Sequence, residues 1–108
     1  MKRGDRVEIK MQKTLCKGMV LDETVYFCEF LKYDEKKECL YLVTKSAELS
    51  MFSLDAIYFC EIQTDTKCMQ CTGRVKERYC QKEGKTLKME IENGFYKINI
   101  KSVDKQRA

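Results

Sequence analysis

Apolar and charged side chains alternate with a period of two in several stretches of this chain, and that alternation constrains the fold more than any other feature of the sequence. Val7, Ile9 and Met11 alternate with Arg6, Glu8 and Lys10, and Leu87, Met89 and Ile91 alternate with Lys88, Glu90 and Glu92. Successive side chains of a strand point to opposite faces, so each run builds one apolar and one solvated surface. Arg74, Lys76 and Arg78 alternate in the same way with Val75, Glu77 and Tyr79.

Between these runs the pattern continues in shorter pieces. Gly18 to Tyr33 is rich in Val, Tyr and Phe but too long for one flat strand, and Asp22-Glu23-Thr24 marks a bend or bulge within it. Cys39 to Thr44, Ile57 to Thr64 and Cys71 to Cys80 read as further strands, and Glu83-Gly84-Lys85 turns the chain. Ser46 to Asp55 lacks clean alternation, so a loop with one helical turn is expected there. Asn93-Gly94 lies between alternating runs, the second continuing at Tyr96, Ile98 and Ile100, and reads as a tight hairpin turn. The expectation is an all-β fold, a small antiparallel split barrel of six to seven strands, whose closure removes exposed edges.

One domain suffices for 108 residues. With no proline anywhere, a Pro-rich linker is excluded, and we place the barrel at residues 1–102 with 103–108 as a tail or the start of a linker. The 44% of apolar residues can form a core under a surface drawn from the 35% that are charged. The net charge of +4 arises from 21 basic and 17 acidic residues interleaved along the chain, which excludes a basic arm. Apolar runs such as Ala56-Ile57-Tyr58-Phe59-Cys60 fall far short of the roughly 20 residues of a membrane span. The opening residues show no apolar signal segment, and seven cysteines without framework spacing suit a reducing compartment, so a cytoplasmic location without disulfides is expected.

Few residues offer chemistry. The chain has no histidine, and so lacks the usual general base and the commonest metal ligand. Cys68 and Cys71 form a C-x-x-C pair, but zinc needs a second pair nearby in sequence and none exists, so ordinary side chains near a strand start are expected. No two glycines are spaced for a phosphate-cradling loop, and no cofactor is expected. Arg74 and Arg78 share the R-x-x-x-R spacing by which PilZ domains grip cyclic dimeric GMP. On a strand, however, they would stand about 13 Å apart on one solvated face, and the [DN]-x-S-x-x-G segment that follows in PilZ domains is missing. Direct binding of that nucleotide is therefore not expected. Lys32-Tyr33 and Arg78-Tyr79 set basic residues beside aromatic ones, as single-stranded nucleic-acid grooves do, and a small nucleic-acid-binding barrel is the alternative function.

In order, Gly4-Asp-Arg-Val-Glu-Ile9, Leu40-Tyr-Leu-Val43, Leu49 to Leu54, Asp55-Ala-Ile-Tyr-Phe-Cys-Glu-Ile62, Cys71-Thr-Gly-Arg-Val75 and Gly94-Phe-Tyr-Lys-Ile98 form a series. It resembles the YcgR-type N-terminal domain that precedes PilZ in flagellar-brake proteins, and Asp104-Lys-Gln-Arg107 is similar to the start of the linker between the two. The resemblance implies a six-stranded split barrel and a non-catalytic role. Such a domain docks on a protein partner, a motility or signalling component or a PilZ domain, while PilZ senses the nucleotide.

Overall fold

The two-residue alternation becomes the inside and outside of a barrel. A computed structural model describes residues 1–45 and 47–99, the side chains of 94–99 excepted. The expected tail at 103–108, with the linker-like Asp104 to Arg107, lies outside the described residues, as do the side chains of Tyr96 and Ile98 and all of Ile100. Six strands are present: β1 (Arg6–Thr14), β2 (Val25–Asp34), β3 (Cys39–Thr44), β4 (Ala56–Gln63), β5 (Lys67–Gln81) and β6 (Gly84–Asn99). They close into an antiparallel barrel in the order β1-β2-β3-β6-β5-β4, with β1 also paired to β4. The all-β barrel read from the sequence is the fold observed, and among the described residues no helix is long and apolar enough to cross a membrane.

Val7 and Ile9 of β1, Ile62 and Tyr58 of β4, Val75 of β5 and Leu87 and Met89 of β6 point inward and are fully buried. All six residues of β3 are buried, although only alternate ones can face the interior. The outward Tyr41 lies under the Lys32 ammonium, 4.7 Å from the ring centroid, and so is shielded from water by a cation on its face. Seven free cysteines complete the picture; five are buried and serve as small apolar side chains.

The Asn93-Gly94 hairpin expected from the sequence does not form. β6 runs straight through it as one strand of 16 residues. From Gln70 to Thr72 on β5 the partner moves from Tyr96 to Asn93, and from Thr72 to Gly73 it moves from Asn93 to Ile91, so β6 carries one extra residue at each step. A strand this long must bend to stay on a barrel of six, and bulges supply that bend. The Asn-Gly pair lies in a bulged stretch of strand instead of a chain reversal. The reversal that does join β5 to β6 lies at Lys82-Glu83 and is completed by Gly84, whose φ of +125° disfavours any side chain.

The bend also brings β5 and β6 unusually close. A Cβ built on Gly73 would lie 2.5 Å from the Glu90 carbonyl oxygen, which is backbone and has no flexible end to move aside. We expect Gly73→Ala to unfold at lower denaturant, at a cost of about 1–3 kcal/mol by overpacking. An unchanged midpoint in urea would show that the two strands do not cross as closely as described.

Candidate functional site

β5 outruns its neighbour. Ile57 of β4 pairs with Arg74, so Val75–Gln81 extend past the start of β4 with only β6 beside them. The chain that leads into β4, residues 49–55 with a single 3-10 turn at Leu49–Met51, runs back along this flank. Two arginines hold it. The Arg78 guanidinium donates to the carbonyls of Phe52 at 2.7 Å and Leu49 at 3.5 Å, and Arg74 donates to the carbonyl of Leu54 at 3.3 Å.

These are the two residues expected to share a solvated face; Arg78 is exposed and Arg74 half-buried, but the shared face needs correction. The pairing of β5 with β6 shifts between Val75 and Glu77, leaving Lys76 as a bulge residue and reversing the alternation beyond it. Glu77 therefore faces out, pairing with Lys88 at 3.1 Å, while Arg78 sits opposite the buried Leu87 and reaches under the 49–54 segment. Arg74 remains on the outer face, with its Nε buried and without a partner among the described residues. Cys68 and Cys71 occur near the start of β5, as expected, about 10 Å apart by strand rise. Cys71 lies opposite Cys60 on β4, not beside Cys68. Its hydrogen bond to Cys60, followed by burial, holds the Cys60 thiol well above the usual thiol range, and burial pushes Cys28 up to about 12. Neutral thiols of this kind are poor nucleophiles. Among the described residues no three His, Cys, Asp or Glu side chains are placed to hold a metal ion.

The arginine-held segment forms one wall of a groove at the end of the barrel. Phe52 plugs the interior beneath it, its ring 4.9 Å from Tyr26 and 6.2 Å from Tyr58, while the Tyr58 hydroxyl accepts a hydrogen bond from the Ser53 amide at 2.8 Å. The opposite wall is the loop between β1 and β2. It is tied down by the Leu15 amide donating to the Asp55 carbonyl at 2.8 Å and by the Asp22 carboxylate, which accepts from the Thr24 amide at 3.0 Å and from the Tyr26 hydroxyl. The bend expected at Asp22-Glu23-Thr24 is thus an Asx turn ahead of a strand that begins only at Val25. The Tyr26 bond, then those from Thr24, hold the Asp22 carboxyl below the usual carboxylate range. Because this pKa is depressed by folding, its contribution to loop stability is present above the ordinary carboxylate pKa and is lost as pH falls through the lowered one.

The groove encloses about 450 Å³. Met11, Met19 and Met51 line it with Val20, Phe52 and Leu54, and carboxylates are supplied by Asp22 and Asp55. Its rim is apolar: Val20 is 85% exposed and Met51 50%, with Met19 and Leu54 also exposed, and Leu21 is exposed next to Val20 in the chain. Sequence reasoning missed this site because Met11, Met19 and Met51 share no local spacing; only barrel closure brings them together. The exposed run Met19-Val20-Leu21, apolar yet outside any alternating stretch, was the available signal. Comparison with protein-family models, curated proteins and solved structures finds no match to this chain.

Replacing Arg78 by Ala should cost about 1–2 kcal/mol, toward the low end for hydrogen bonds to a charged donor because the side chain is exposed. It should also raise amide exchange at Phe52 and Ser53 while leaving the β3 and β6 amides protected. Exchange unchanged at those two residues would show that the guanidinium does not hold the segment.

Proposed function

We propose that this chain is a non-catalytic regulatory or protein-interaction module of the kind represented by the YcgR-type N-terminal domain, acting in the cytoplasm in motility or cyclic dimeric GMP signalling. The observation that carries the reading is the apolar rim at one end of the barrel. A groove that exposes four large apolar side chains, Met19, Val20, Met51 and Leu54, on two adjacent loops supports a place where another molecule binds. The chemistry around it supports binding over catalysis, since the chain has no histidine and the Cys60 thiol is held neutral in the core.

Nucleotide sensing falls to another domain in this reading. Arg74 and Arg78 already donate to carbonyls of the 49–54 segment, and phosphate capture would compete with those bonds. Nucleic acid is the weaker alternative because cations of this chain already lie on its outward aromatic rings: Arg6 is 4.3 Å from the Phe27 ring centroid and Lys32 covers Tyr41. Stacking platforms for bases need open aromatic faces.

Crosslinked affinity capture from bacterial cells tests the proposal. We expect a motility or signalling protein to be recovered reproducibly and to be lost when Met51 is replaced by Glu. Recovery of ribosomes or nucleic acid alone, unaffected by Met51→Glu, would contradict it.

A further inference from the structure

Eight of the fourteen backbone amides and carbonyls of the 49–55 wall are already hydrogen-bonded to described residues of the chain. The carbonyls of Leu49 and Phe52 accept from Arg78, that of Leu54 from Arg74 and that of Asp55 from Leu15. The amides of Met51 and Phe52 donate within the 3-10 turn, that of Ser53 to Tyr58 and that of Asp55 to the Ser53 hydroxyl. An extended peptide adds to a protein through the paired N–H and C=O of alternate residues, and on this wall Ser50 alone keeps both groups unpaired among the described residues. A helix satisfies its own backbone and binds through side chains alone.

The side chains that remain fit such an occupant. Methionine is unbranched, with a polarizable thioether, and three methionines together adapt to the varied apolar anchors of a helix. The charge is also directional. Asp22 and Asp55 set two carboxylates into the groove against one guanidinium, Arg78, and the hydrogen bonds of Asp22 and Arg78 to neutral groups of their own chain leave that balance at one net negative charge. This local negative excess stands on a chain of net charge +4, so a basic segment is favoured at the groove and disfavoured elsewhere. A second copy of the chain fits poorly. A two-fold contact would set one concavity against another and bring each pair of carboxylates toward its own symmetry mates.

Building on the interaction reading above, we propose that the groove between residues 19–22 and 50–55 binds an amphipathic helix with lysine or arginine flanking its apolar stripe. The probe is a fluorescently labelled synthetic helix of about five turns, with leucines at helical spacing and lysines beside them. Its control carries glutamates in place of the lysines. Anisotropy titration should show saturable binding of the lysine helix, at least about tenfold tighter than the control and weakening with salt. Met51→Glu and Asp55→Lys, both at exposed positions and checked for retained β structure by circular dichroism, should each weaken binding by about tenfold. Phe27→Ser, outside the groove, should leave it unchanged. Equal binding of both helices, or equal loss in Phe27→Ser, would overturn the inference. So would a concentration-dependent dimer abolished by Met51→Glu, or capture of the protein by acidic lipid vesicles without affinity for the helix. If the lysine helix fails while Met51→Glu still abolishes capture of the cellular partner, the helix inference falls and the interaction reading stands. Failure of both removes both.

Discussion

β1 belongs to two ladders, pairing through Arg6–Lys10 with β2 and through Arg6–Thr14 with β4, and the rest of the molecule depends on that double pairing. Together with the pairing of β3 and β6 it joins two three-stranded meanders, β1-β2-β3 and β4-β5-β6, into a closed surface, so the inward faces become core and backbone groups that would form two open edges are paired. Closure has a geometric cost. Strands of 15 and 16 residues cannot follow a narrow barrel without bending, and the bends are made by bulges in β1, β2, β5 and β6. The bulge at Lys76 bears directly on the site, because it turns Arg78 from the outer face toward the barrel end.

From that reversal the groove follows in a short chain of causes. Arg78 and Arg74 take up the carbonyls of a segment that continues β4 without joining its ladder. The segment is thereby held over Phe52, and Phe52 seals the barrel against Tyr26 and Tyr58. Tyr26 in turn holds Asp22 and with it the opposite loop. The apolar side chains on these two loops cannot enter a core already filled by Phe52, and they are left at the surface facing one another.

Much of this architecture was legible in the residues. Val7, Ile9 and Met11, like Leu87, Met89 and Ile91, are inward by simple alternation, because a strand with one buried face must show that period. Cys39 to Thr44 and the reversal near Gly84 were legible for equally local reasons. Asn93-Gly94 was misleading because its backbone freedom serves a bulge as readily as a turn, and only the pairing partner decides between them. Arg74 and Arg78 were placed on the right strand but on one face, since an extra residue in a ladder cannot be seen in one strand alone. The groove as a whole was not legible, beyond the apolar run Met19-Val20-Leu21 on one wall: Met11, Met19 and Met51 lie in three separate segments, and what joins them is closure.

The central claim is that the working surface of this barrel is the groove at residues 19–22 and 50–55, and the chain carries its own reporters for it. Of its six methionines, Met11, Met19 and Met51 line the groove, whereas Met1, Met69 and Met89 do not. The methyl spectrum of methionine-labelled protein, recorded with and without the partner recovered from cells, tests the claim most directly. The account predicts shifts or broadening at the methyls of Met11, Met19 and Met51, with those of Met69 and Met89 unmoved. Perturbation confined to Met1 or Met69, with the three groove methyls unchanged, would contradict it.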